Sequence, residues 1–315
     1  MLDEITMKET YVAALADKMK ENKNIVILEA DLMSATGTKR IFDTWPDRSV
    51  NIGIAEANMI GVAAGLATFG KVPVCSSFAA WISRRDYDQI CVSICYSGLN
   101  TKLIGLDPGI AIEKNGGTHT AFEDIPLFRA LPGMTIVEPS DSIQLSQAIP
   151  QILDLPTPVY LRLYRKKAHT VHDGNYKFVL GKADVLREGG DVTIMAYGIM
   201  VYYALQAAQE LGQEGISARV AEVHTIKPLD TACVLESAEK TGGIVTVDSC
   251  NYIGGLGSAV AETVVESGNL VPVKRVGIKD HFGDVGSTEY LMERFHIAPK
   301  DIAEAARDMV ARKAR

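Results

Sequence analysis

The 315-residue sequence has no apolar run long enough to cross a bilayer; its richest, Met59–Phe69, is short and holds Gly61 and Gly65. The first residues carry no cationic segment followed by an apolar one, so they do not read as an export signal. Positive charge is outweighed. The 32 Lys and Arg residues against 39 Asp and Glu leave a net charge of −7, which argues against a broad nucleic-acid or anionic-membrane surface but leaves room for a local basic pocket. The five cysteines (Cys75, Cys91, Cys95, Cys233 and Cys250) form no disulfide framework and no zinc spacing. Cys91 and Cys95 share a face of an expected helix and read as small buried hydrophobes. Serine-elbow and zinc-protease motifs are also missing. These absences lead to the expectation of a cytoplasmic globular protein. Its length suffices for two domains with full cores.

What is present is an alternation of strands and helices. The first helix carries Tyr11, Val12, Leu15 and Met19 on one side. Strands are expected at Ile25–Leu28, Val50–Ile52, Lys71–Val74, Thr101–Gly105, Thr135–Val137 and Val159–Leu163. Helices are expected from about Ala55, over Ile82–Tyr96, over Ile125–Leu131 and after Ser140. Arg165–Lys177 is polar and aperiodic and reads as a linker. A second series follows, with strands at Asp191–Ala196, Ala218–Val223, Ile244–Asp248 and Val271–Val276. The expected fold class is therefore α/β: two mostly parallel sheets covered by helices, over residues 1–177 and 178–315.

Parallel sheets bind ligands beyond the carboxyl ends of their strands. Asp31, Glu56, Phe78 and His119 each lie in a segment following a strand and can meet at one edge. Glu56 stands at the start of an apolar, glycine-spaced helix, with Phe78 and Trp81 a short distance on. A carboxyl beside apolar surface favours its neutral form, which suits a general acid/base. A solvent-facing glutamate complementing the helix dipole is the other reading, and spacing alone leaves both open. His119, in NGGTHTAF, is either a satisfied loop histidine or a polar substrate contact beside glycines that let the backbone approach a ligand. The GGLGSA run at Gly254–Ala259 suits tight strand–helix packing with an anion at the helix start better than a dinucleotide site. Arg162, Arg165, Lys166 and Lys167 form a basic cluster, read as solvated or as an anion site. His224 and His281 have no carboxylate or cysteine partner at a recognisable spacing.

Taken together, NIGIAEANMIGVAAGLA, CSSFAAWISRRDYDQI, NGGTHTAFEDIPLFRALPGM, IVEPSD, TIKPLD and GGLGSAVAE closely resemble the C-terminal part of transketolases, and most nearly the second subunit of a split microbial transketolase. The resemblance covers nearly the whole chain. It implies a pyrimidine-binding domain over 1–177, a transketolase C-terminal domain over 178–315, and thiamine diphosphate as cofactor. Glu56 matches the glutamate that hydrogen-bonds the aminopyrimidine ring. Phe78 and Trp81 match positions that stack on that ring, Leu32 packs against the cofactor, and Asp31 is grouped with these cofactor-binding residues. His119 matches a histidine beside the substrate's reacting oxygens, so Glu56 and His119 are the catalytic candidates.

The chain carries no GDG motif of the kind that holds the diphosphate through a metal; Gly190–Asp191 and Gly283–Asp284 lack the final glycine. No metal ligand is therefore assigned here. Magnesium or another divalent ion is expected on a partner, an N-terminal-half subunit, in an α2β2 assembly. The family's sugar-phosphate clamp also departs: its positions hold Met7, Ala35 (with Ser34 adjacent), Asp107 and Arg165, and only the arginine is kept. Asn115 stands where an aspartate contacting a sugar hydroxyl is common, and Cys250 replaces a histidine. The substrate-binding candidates are then His119, Asn115, Asp107 and Arg165, with an atypical ketose expected. The expected activity is transfer of a two-carbon ketol unit to an aldose. A deoxyxylulose-phosphate synthase, the beta subunit of a 2-oxo acid dehydrogenase, or a non-catalytic paralogue are the alternatives.

Overall fold

In the computed structural model, which describes residues 1–313, twelve strands form two sheets. The first half supplies β1 (Ile25–Glu29), β2 (Ser49–Asn51), β3 (Val72–Phe78), β4 (Lys102–Leu106), β5 (Thr135–Val137) and β6 (Val159–Leu163). The second supplies β7 (Asp184–Arg187), β8 (Val192–Ala196), β9 (Ala218–Glu222), β10 (Thr225–Lys227), β11 (Ile244–Asn251) and β12 (Val273–Ile278). The first sheet runs β10-β5-β6-β4-β3-β1-β2 and the second β12-β11-β8-β9-β7. All pairings are parallel except those of β10 and β7, the two strands not expected from the sequence. Both are short edge strands without an apolar run, which leaves little periodic signal. β10 comes from the second half but completes the first sheet, so the two halves share a hydrogen-bonded edge.

Central strands such as β1, β3, β4 and β6 are buried along their whole length. Covered on both faces, they read as continuous apolar runs rather than alternating ones. The helix Met7–Glu21 buries Tyr11, Val12, Leu15 and Met19 as its periodicity predicts. A reciprocal cap starts it: Glu9 N donates to Thr6 Oγ1 at 3.1 Å, and Thr6 N donates to the Glu9 carboxylate at 2.8 Å. No helix among the described residues is long and apolar enough to cross a membrane.

Three expectations need correction. The single helix expected over Ile82–Tyr96 is broken into Ala79–Arg84, Tyr87–Gln89 and a π-helical turn Ile90–Tyr96. The break falls at Asp86, whose backbone leaves the helical region and whose side chain is buried. The wider π turn leaves Cys91 and Cys95 only half-buried. Secondly, Arg162 is not part of a solvated basic cluster. It is fully buried, donating from Nε to Asp124 at 2.8 Å and from a terminal nitrogen to Glu138. Thirdly, Arg165–Lys177 is not simply a solvated linker, because it buries Ala168 and His172.

Candidate active site

Five strands that are neighbours in the first sheet (β6, β4, β3, β1 and β2) end at the same edge. β1 leads to Asp31 and Leu32, β2 to Glu56, and β3 ends at Phe78 just before Trp81. β4 leads to Asp107, Asn115 and His119, and β6 to Arg165. Contiguity of parallel strands is what brings residues so distant in sequence to one rim.

Glu56 opens the helix Glu56–Thr68 and is 3% exposed. Its Oε1 accepts from Arg85 at 2.8 Å. The Arg85 guanidinium lies 4.6 Å from the centre of the Trp81 ring, a cation–π placement that orients the arginine toward the carboxylate. Trp81 packs edge-on to Phe78 at 5.0 Å between ring centres. His119 completes a three-ring cluster, 4.8 Å from Trp81 and 5.6 Å from Phe78. On the far side the Arg165 guanidinium sits 5.0 Å from the Phe78 ring centre. Arg165 also grips Asp107, donating from its backbone N at 3.0 Å and its Nε at 2.6 Å. A continuous chain of contacts therefore runs from Glu56 through Arg85, Trp81, Phe78 and Arg165 to Asp107.

Asp107 is 1% exposed, and burial raises its carboxyl above the usual range while Arg165 pulls it back. The position that by sequence repels an anion is thus neutralised by its own neighbour. His119 is lowered from its ordinary value by burial and by Arg85 and Arg84, so its ring is neutral at pH 7. Its Nδ1 is engaged by Thr118 Oγ1 at 2.9 Å. Leu32 and Trp81 are half-buried members of the apolar cluster that contains Phe78. Arg165, Lys166 and Lys167 also line a cavity of about 870 Å³ together with Lys8 and Tyr202.

Two candidates are not drawn into this cluster. Asp31 takes a left-handed backbone (φ 62°), and its exposed carboxylate accepts from Asn51 Nδ2 at 3.3 Å. Asn115 stays exposed at the end of the 3₁₀ segment Gly109–Asn115. The glycines before His119 also serve another purpose than ligand approach. A Cβ on Gly117 would stand 2.9 Å from the Gly283 carbonyl oxygen, so this loop packs on the second half of the chain. At Gly254–Ala259 the helix N-terminus already holds an anion, the chain's own Asp248. It accepts from Leu256 N at 2.8 Å and Gly257 N at 3.1 Å.

Sequence reasoning missed two carboxylates. Asp86, beside Arg85, is fully buried with both oxygens unpartnered. Burial and the charge of Glu56 push it up to about 8, against the pull of Arg85. Glu29, at the end of β1, is buried and pushed up to about 7, although Thr38 Oγ1 donates to it at 2.7 Å. In RRDYDQ and ILEADL both read as ordinary surface acids, and no motif marks them.

A buried carboxylate, an aromatic cluster and a neutral histidine suit a flat, weakly basic heteroaromatic ring. The residues present therefore fit the pyrimidine half of thiamine diphosphate. Comparisons with known proteins point the same way. The transketolase pyrimidine-binding domain family matches residues 3–170 and the transketolase C-terminal domain family residues 181–302. A Clostridium sp. (strain MSTE9) protein named 6-deoxy-6-sulfo-D-fructose transketolase subunit is 52% identical, covering 99% of this chain and 97% of its own. A Phocaeicola vulgatus protein named as one subunit of an apulose-4-phosphate transketolase is 35% identical over 97% of this chain and 98% of its own. A solved split-gene transketolase, described as an inactive β4 tetramer, superposes with a TM-score of 0.89 at 40% identity, covering 98% of this chain and 99% of that one. The chain belongs to the transketolase family and is similar over its whole length to subunits of split transketolases.

Proposed function

We propose that this chain is the C-terminal-half subunit of a two-chain, thiamine diphosphate-dependent transketolase, moving a two-carbon ketol unit from a modified ketose to an aldose. The observation that carries the reading is the buried Glu56 carboxylate, tied to Arg85 and joined through Trp81 to the Phe78–His119 cluster. Thiamine diphosphate, held with its pyrimidine ring against Glu56, Phe78, Trp81 and Leu32, would supply the nucleophilic carbon that ketol transfer requires. Glu56 would present its carboxylate to a nitrogen of the pyrimidine ring and exchange a proton with it, and Phe78, Trp81 and Leu32 would form the apolar wall that excludes water from it. Neutral His119 accepts or donates a proton at Nε2, since Thr118 occupies Nδ1. Asp31 and Asn115, both exposed outside this cluster, are candidate contacts only for a ligand that reaches beyond it.

The diphosphate and its divalent metal fall to an N-terminal-half partner in an α2β2 assembly, because no GDG motif is present. Gly61 and Gly65 on the Glu56 helix have open space where a Cβ would stand; Ile54 and Phe69 are exposed at its two ends, and Val92 and Tyr96 are exposed on the turn Ile90–Tyr96 that packs beside it. Small residues beside unpartnered apolar side chains suit close approach of another polypeptide. We place the boundary between the chain's two domains near residue 177.

The substrate follows from Asp107. A phosphate carries −1.5 to −2 charges at neutral pH, whereas a sulfonate carries one. Arg165 with its charge balanced by Asp107 suits the single charge better, and the Clostridium relative is named for a sulfonated ketose. Assay of the chain reconstituted with its partner, using 6-deoxy-6-sulfo-D-fructose and xylulose 5-phosphate as competing donors, tests this. The expected result is a higher kcat/KM for the sulfonate. Equal or better use of xylulose 5-phosphate refutes the substrate assignment.

A further inference from the structure

Away from the rim, where the segment leaving β6 meets the second sheet, His172, Asp184 and Glu222 each offer a ligand atom, all within 4.8 Å of one another. We propose that these three residues bind a divalent first-row transition ion such as zinc or manganese, at a structural site separate from the cofactor's metal.

Without a metal, His172 forms an ion pair with Glu222 and Asp141, which together raise its pKa against burial; a bound ion would take the place of the proton on Nε2. His172 is buried, and its Nε2 lies 3.0 Å from Glu222 Oε2 but without the alignment of a hydrogen bond. Both Glu222 oxygens are unpartnered although the residue is fully buried. Atoms that are close yet not aimed at each other fit convergence on a common point between them. A buried carboxylate is expensive unless a cation offsets it, a role that the His172 ring fills from 3.0 Å and that a bound metal ion would take over.

The surroundings match what metal ligands need. His172 Nδ1 is 3.1 Å from Asp141 Oδ2, the carboxylate–histidine arrangement that fixes the ring and presents the other nitrogen to a metal. Asp141 is itself held by the backbone N–H groups of Gln144, Val171 and His172 at 2.7–2.9 Å, so it is not a free ligand. Asp184 accepts from Tyr176 O–H at 2.6 Å, which leaves its second oxygen available. His224, fully buried, places Nε2 3.5 Å from Asp184 Oδ2 while Thr225 Oγ1 engages its Nδ1 at 2.9 Å. It lies beside Asp184 but outside the set of mutually close ligand atoms. With a divalent ion bound, Asp184 and Glu222 would contribute −2, while the further charge of Asp141 is met by His172 Nδ1 and its backbone N–H donors. One imidazole with two carboxylates suits zinc or manganese and not a soft monovalent ion. Such a site ties the chain at residue 172 to the ends of β7 and β9, pinning the junction between the two sheets.

The test uses the full chain, stripped with a chelator and then offered one to three equivalents of Zn²⁺ or Mn²⁺. After desalting, metal content and thermal unfolding are measured on the wild type and on E222Q and H172A. The expected result is one ion retained per wild-type chain, with a rise in unfolding temperature, and loss of both in the variants. Should a variant fail to fold, Co²⁺ added to the wild type gives the second reading: visible d–d bands at one equivalent support the site. A folded wild type that retains no ion, or variants that retain the same one equivalent, overturns the proposal. None of these readouts depends on ketol transfer or on the partner, so their failure leaves the proposed reaction untouched.

Discussion

Replacing Asp86 with asparagine should make the protein more stable at alkaline pH and remove part of its pH dependence. Asp86 is fully buried with neither oxygen bonded, and burial and Glu56 push it up to about 8 from an ordinary 3.8. The folded chain therefore binds a proton that the unfolded chain releases throughout the window from 3.8 to about 8. Stability from this group is fully present below 3.8 and is lost as pH rises through about 8. Each pH unit inside the window is worth up to about 1.4 kcal/mol, so the whole loss is on the order of 5 kcal/mol before the site relaxes. Asparagine keeps the shape and cannot ionise. Denaturant unfolding of wild type and D86N at fixed protein concentration, from pH 5 to pH 8.5, should show a gap that moves toward D86N by several kcal/mol as pH rises. A gap that does not change with pH, or that moves toward the wild type, refutes the reasoning.

Other outcomes follow from the same contacts. Arg162→Met strands Asp124 and Glu138, both buried, and should lower unfolding free energy by about 3–5 kcal/mol in chemical denaturation. Trp81→Ala removes one wall of the aromatic cluster and should raise the thiamine diphosphate concentration giving half-maximal activity in the reconstituted pair by roughly two- to tenfold. His119, held below its ordinary value, places the acid limb of the pH–rate profile below pH 6.5 if its neutral ring is required. His119→Gln should lower kcat by about 100-fold and remove that limb.

The two-sheet architecture was legible because buried parallel strands announce themselves as continuous apolar runs, as in IVILE and VYLRL. Convergence of Glu56, Phe78 and His119 was legible for a topological reason: each follows a strand of one parallel sheet. Its closing details were not. The left-handed turn at Asp31 and the exposed Asn115 depend on loop geometry, which carries no period. Asp86 and Arg162 look like surface charges because burial of a charged residue depends on partners far along the chain, Asp124 and Glu138 in the case of Arg162. The break at Asp86 escaped for a related reason, since helix periodicity continues across it. Strand β10 pairs with β5 across almost ninety residues, a contact that no local window reads.

The central claim is that this chain supplies the carboxylate and aromatic half of a site completed by another polypeptide. The most direct measurement is ketol transfer by the purified chain, by an N-terminal-half partner, and by their mixture, each with thiamine diphosphate and magnesium. Wild type and Glu56→Ala are compared. Activity should appear only in the mixture and fall by about 100- to 10,000-fold in the variant while the complex still assembles. Turnover by the chain alone at the rate of the mixture, or an undiminished Glu56→Ala mixture, would contradict it.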